Sequence, residues 1–112
     1  MRDPVQRAVD VCPVEVAIAV IGGAWKMTVI KYLRDGPLRF GVLRRAVGPV
    51  TPRVLTRQLR ELETDGVIHR EVYAEVPPRV EYSLTAVGEK LSDLVDGLDA
   101  WGADYLASHA QR

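Results

Sequence analysis

The chain has 112 residues, 47% of them hydrophobic and 27% charged, with fifteen basic side chains set against fifteen acidic ones. That length supplies one hydrophobic core but not two, and the composition excludes a disordered or fibrous chain. No apolar run nears the roughly 20 residues of a membrane span, MRDPVQRAVD lacks the apolar stretch of a signal peptide, and one cysteine excludes an internal disulfide framework.

In chain order, residues 1–11 are polar and carry Arg2, Asp3, Arg7 and Asp10, which predicts a loose arm or a short helix. Cys12-Pro13 opens a helix, because a proline in the first turn costs no hydrogen bond. Val14, Val16, Ala17, Ile18, Val20 and Ile21 surround that helix on most sides, so it is expected to be largely buried before Gly22-Gly23 stops it. The next helix runs from Trp25 to Arg34, with Trp25, Val29, Ile30 and Leu33 inward and Lys26, Lys31 and Arg34 available outside. Asp35-Gly36-Pro37 is a stop and turn, and Leu38-Arg39-Phe40 reads as a very short extended piece.

From Arg39 to Arg60 there are six arginines and no acidic residue, a local positive field on a neutral chain. Phe40, Leu43 and Val47 recur at helical spacing until Gly48-Pro49 ends that helix. Thr51 then serves as N-cap and Pro52 as the first residue of a second helix, which runs to Asp65 with Gly66 as C-cap. At 100° per residue, Arg53, Arg57 and Arg60 share one face with Thr56, while Leu55, Leu59 and Leu62 share the opposite one. Glu61, Glu63 and Asp65 stand at the far end, where carboxylates oppose the helix dipole. A charged stripe alone is most often a solvated face. Two helices joined by a tight turn, with cations at the start of the second, fit instead a helix-turn-helix whose second helix enters the DNA major groove.

After Gly66 the period changes. Residues 67–73 and 80–84 are β-branched and aromatic, with Val80, Tyr82 and Leu84 alternating with Glu81 and Ser83. Between them lies Ala74-Glu75-Val76-Pro77-Pro78-Arg79, a loop with a single cation at its base. A helix-turn-helix followed by such a hairpin is a winged helix, with residues 74–79 as the wing; Arg79 is either a DNA contact or a solvated loop residue. Thr85 caps a last helix over residues 85–108, in which Val87, Leu91, Leu94, Val95, Leu98, Trp101, Tyr105 and Leu106 form an apolar stripe. Asp93, Asp96, Asp99 and Asp104 line its polar side. A helix this long either folds back over the core or exposes its stripe to a second copy about a two-fold axis, with Gly97 and Gly102 permitting close approach.

Taken together, the chain resembles the HxlR-type winged-helix transcriptional regulators, a bacterial and archaeal family close to the MarR-like fold. The resemblance covers residues 12–106. It rests on Cys12-Pro13, on Ile21-Gly22-Gly23-x-Trp25, and on Gly36-Pro37-x-Arg39-Phe40-Gly41-x-Leu43-Arg44-Arg45. It continues in Val54-Leu55-Thr56-x-x-Leu59-Arg60-Glu61-Leu62-Glu63-x-Asp65-Gly66, in Val76-Pro77-Pro78-Arg79-Val80-Glu81-Tyr82-Ser83-Leu84-Thr85, and in Trp101-Gly102. Ala24 departs from the pattern, since the family more often has lysine before the tryptophan. The resemblance implies a homodimer on pseudo-palindromic promoter DNA, with residues 51–60 as reading helix, Arg44 and Arg45 near the backbone, and the first and last helices making the dimer. Some members sense oxidants or electrophiles through an N-terminal cysteine, a position held here by Cys12. A thiol before a helix's first turn sits at the positive end of its dipole, which favours thiolate, although no Lys or His adjoins it in sequence. Sensor and structural thiol both remain open.

An enzyme reading lacks its parts: no Gly-rich phosphate loop, no nucleophile-base set and no paired carboxylates in an apolar setting. Cys12, His69 and His109 have no metal-ligand spacing, so no metal and no cofactor are expected. The expectation is therefore a mainly α fold with a small β-hairpin, residues 1–112 forming one winged helix-turn-helix domain: an arm over 1–11, a core over 12–84 and a dimerisation helix over 85–108. It is expected to be cytoplasmic, to bind double-stranded DNA and itself, and to have no membrane partner. The DNA-binding candidates are Arg39, Arg44, Arg45, Thr51, Pro52, Arg53, Thr56, Arg57, Arg60 and Arg79. The dimer candidates are Val14, Ile18, Leu91, Leu94, Val95, Leu98, Trp101 and Tyr105, and the redox candidate is Cys12. The alternative is a winged-helix protein-interaction module, which has no need of three outward arginines on its second helix.

Overall fold

The computed structural model describes residues 1–110, in the order α1 (Asp3–Ala8), α2 (Pro13–Ile21), α3 (Lys26–Leu33), β1 (Leu38–Arg39), α4 (Phe40–Val47), α5 (Pro52–Thr64), β2 (Ile68–Tyr73), β3 (Arg79–Leu84) and α6 (Ala86–Ala110). The strands form one antiparallel sheet in the order β1-β3-β2, with Leu38 opposite Tyr82 and Ile68 opposite Leu84. This is the mainly α, winged helix-turn-helix architecture the sequence predicts, with the short extended piece before α4 serving as the sheet's third strand.

The core lies where α3, α4, α5 and the sheet meet. Leu55, Leu59 and Leu62 of α5 join Val29, Ile30 and Leu33 of α3 and Leu43 of α4, all buried. Each such side chain contributes roughly 1.5–3 kcal/mol on burial, so the apolar face of α5 fixes which face is left for solvent. The α5 N-terminus begins as expected: the Val54 N–H donates to Thr51 Oγ1 at 3.2 Å, with Pro52 in the first turn. The α4–α5 turn is held by Gly48 at φ 119, by Val50 N–H donating to Gly48 O at 2.7 Å, and by Arg44 Nε donating to Val50 O at 3.1 Å. The start of α6 is pinned to the sheet. Thr85 Oγ1 accepts from Gly88 N–H at 3.1 Å and donates to Gly66 O at 2.6 Å. A Cβ on Gly88 would lie 2.1 Å from Val67 O, so only glycine fits there.

Four expectations need correction. The helix α2 is not largely buried; Ile21 alone is, while Val14 and Ile18 are exposed, because α1 packs against it and only its C-terminal end, at Val20 and Ile21, joins the core. Lys26 does not point outward but is 2% exposed, since position 26 falls on the same stripe as Val29, Ile30 and Leu33. Lys31 and Arg34 do face outward but are occupied, Lys31 Nζ by Asp99 at 2.9 Å and Arg34 by Asp96. On α6, Val95 is buried in the chain's own core and Leu91 packs against it, so these two dimer candidates face inward. Among the described residues no single helix is long and apolar enough to cross a membrane.

Candidate nucleic-acid interface

The outward face of α5 carries Arg53, Arg57 and Arg60, all exposed, with Thr56 half-buried between them and Thr51 and Pro52 exposed at its start. Phe40, at the start of α4, closes one side, so that Phe40, Pro52, Arg53, Val54, Thr56, Arg57 and Arg60 line one open groove. Arg39, Arg44 and Arg45 are exposed beside it. Arg44 has a second task, since its Nε holds the carbonyl of Val50 in the turn.

Ion pairing elsewhere sharpens this positive field. Arg2, Lys26, Lys31, Arg34, Arg70 and Arg79 each have a carboxylate within 4.0 Å. Among the described residues the cations without one are Arg7, Lys90 and the six arginines between 39 and 60. The acids at the far end of α5 are neutralised: Glu63 by Arg70 at 3.3 Å, Glu61 by Lys26 at 2.8 Å, and Asp65 by Arg2 at 2.7 Å. The hydrogen bond from Lys26 holds the Glu61 carboxyl below its ordinary value, against the opposing effect of burial. The helix thus offers free cations at its N-terminal part and compensated acids at its end.

The wing is different. Arg79 lies over the Tyr73 ring at 3.9 Å and between Glu75 at 3.4 Å and Glu81 at 3.7 Å. Its cation is shared with two carboxylates of its own hairpin, and Val76 at the tip is fully exposed. Away from the groove-lining residues, Val14 and Ile18 on α2 and Leu94, Leu98, Trp101 and Tyr105 on α6 are exposed apolar side chains. Trp101 stacks on Tyr105 at 5.2 Å, and Tyr105 on His109 at 4.0 Å. Cys12 is exposed at the N-cap of α2. The arm, Lys26 and the contacts of Glu61 and Asp65 were not among the candidates from sequence; a lysine on an apolar stripe was the signal for one of them.

Fold and cationic face together define a winged helix-turn-helix regulator that binds DNA. The chain belongs to the HxlR-like helix-turn-helix family, whose model matches residues 20–110. It is 52% identical over 100 residues to an uncharacterized HTH-type transcriptional regulator of Methanothermobacter thermautotrophicus, covering 89% of this chain and 76% of that protein. Two solved structures of the redox regulator HypR are also similar. The oxidized form matches with a TM-score of 0.79 and 50% identity over 83% of this chain and 96% of that one. The reduced form matches with a TM-score of 0.83 and 46% identity over 90% and 100%.

Proposed function

We propose that the protein regulates transcription as a homodimer on an inverted-repeat DNA site, reading base edges with α5. The observation that carries this reading is the segregation of charge: among the described residues, six of the eight Lys and Arg side chains left without carboxylates are on α4, α5 and the strand before them. Thr51, Pro52, Arg53, Thr56, Arg57 and Arg60 enter the major groove, where an arginine can make paired hydrogen bonds to guanine worth roughly 1–3 kcal/mol of discrimination. Arg39, Arg44 and Arg45 meet phosphates, and Arg79 helps from the wing. A second copy covers Val14, Ile18, Leu94, Leu98, Trp101 and Tyr105, with Leu91 and Val95 bracing the helix from within. Cys12 responds to oxidants; its exposure and the redox regulator HypR among the similar structures support that role. No catalytic role is assigned.

The test uses duplexes enriched from a random library by the wild-type protein. Arg53→Ala and Arg57→Ala are expected to lose roughly 10- to 100-fold in affinity for the selected duplex and to relax preference at particular base pairs. Arg45→Ala is expected to weaken selected and random duplexes alike and to lower the slope of log affinity against log salt by about 1. Arg45 is a cleaner phosphate probe than Arg44, which also braces the turn. Unchanged base preference in both Arg53→Ala and Arg57→Ala would sink the assignment of α5 as reading helix.

A further inference from the structure

The end of α5 remote from the cationic groove is bound to the N-terminal arm by a cluster of four charges. Arg2 makes three contacts to Asp65: Nε to Oδ2 at 2.7 Å, Nη2 to Oδ2 at 2.7 Å, and its backbone N–H to Oδ1 at 3.2 Å. The Asp65 side chain is 1% exposed. Arg2 Nη2 also donates to the carbonyl of Ala19 on α2 at 2.9 Å, and Nη1 lies 3.7 Å from Glu61. Glu61 in turn takes Lys26 Nζ, from the first residue of α3, at 2.8 Å. Two cations and two carboxylates therefore join α1, α2, α3 and the last turn of α5.

This arrangement costs something that its geometry must return. Two acids at a helix C-terminus oppose the dipole, and buried charges need good partners. Arg2 supplies a planar fork that ties Asp65 and an α2 carbonyl at once, which a lysine cannot reproduce. The helix α5 has 13 residues and is a rod of about 20 Å, so a tilt at Asp65 displaces Arg53 and Arg57 at the other end. Base contacts tolerate such displacement poorly, whereas phosphate contacts from flexible cations tolerate it well.

We infer that Arg2 is a positioning residue for sequence-specific DNA binding: through Asp65 it sets the axis of α5 from the arm, so that the placement of α1 and α2 is transmitted to the reading face. The inference rests on the DNA-binding reading above and names a residue that touches no DNA.

The experiment titrates wild type, Arg2→Gln, Arg2→Lys, Asp65→Asn and the double variant Arg2→Gln/Asp65→Asn against the selected duplex and a random duplex. It is run well below each variant's unfolding midpoint. Arg2→Gln is expected to lose at least about 10-fold on the selected duplex and less than about 3-fold on the random one. Arg2→Lys should recover only part of the loss, and the double variant should bind no worse than Arg2→Gln, as for two groups acting as one unit. Equal losses on both duplexes would make Arg2 an ordinary charge near DNA and overturn the inference. So would wild-type affinity in Arg2→Gln, even with a lowered unfolding midpoint, since that is a structural role only. Should Arg2→Gln fail to fold, Arg2→Lys and Asp65→Asn decide on the same ratio of selected to random binding. A wild type that binds neither duplex defeats the DNA-binding reading and this inference with it; a binding wild type with an indifferent Arg2 defeats this inference alone.

Discussion

Glu61 holds two cations on one oxygen, Lys26 at 2.8 Å and Arg2 at 3.7 Å, and the buried Lys26 has almost no water with which to replace it. Its folded-state carboxyl is lowered, chiefly by the Lys26 hydrogen bond, so the stability it contributes is present above the ordinary carboxylate value and is lost as pH falls through the folded value. Glu61→Gln leaves a buried ammonium without its countercharge and is expected to cost about 2–3 kcal/mol near neutral pH. Urea unfolding of both proteins over a pH series should show that gap narrowing on acidification; a gap independent of pH would mean that charge plays no part in it. This pair was half legible in the sequence. Lys26 stands three, four and seven residues before Val29, Ile30 and Leu33, which puts it on their face, but its partner is 35 residues away and no local pattern names it.

Among the elements, α5 was almost wholly legible because all its signals are local: cap, first-turn proline, leucine face and terminal glycine lie within one short stretch. The helices α2 and α6 were legible as helices but not in what they bury. An apolar stripe around a helix shows how much surface needs cover and leaves open which neighbour covers it. On α6 the position of α3 decides, taking Val95 and Leu91 and leaving Leu94, Leu98 and Trp101 outside. Leu98→Asp is therefore expected to leave the fold intact, since that side chain is outside the core, and to halve the sedimenting mass at micromolar concentration. With one copy bound per half-site, affinity for the two-fold duplex should fall at least about 10-fold. A variant that sediments like the wild type would exclude α6 from the dimer surface.

For the whole molecule, the arm and Cys12 belong to one unit, because Arg2 reaches from the start of α1 over to α2 and α5, and Cys12 joins α1 to α2. Contacts spanning 63 residues, such as Arg2 to Asp65, could not be read from the chain, which is why the arm looked free. Diamide, which takes up two electrons and two protons, can join the Cys12 thiols of two copies into a disulfide. That bond needs Cα atoms within about 7 Å or a shift of the N-terminal helices to bring them there. Diamide is expected to give a dimer on non-reducing gels and to change affinity for the selected duplex about 10-fold in the wild type, with neither effect in Cys12→Ser. An affinity indifferent to diamide removes the sensing role from Cys12.

The pairing of charges also bears on how the molecule finds its site. A body of zero net charge has no long-range pull toward a polyanion, and at physiological ionic strength its field fades within about 8 Å. Asp93 and Asp104 of α6 and Glu15 of α2 are exposed and have no basic partner among the described residues, so an approach by the surface that carries them is repelled. Capture then depends on orientation at close range. Such a protein is expected to spend little time on bulk nucleic acid, and its arrival rate should respond to salt less than its residence time does.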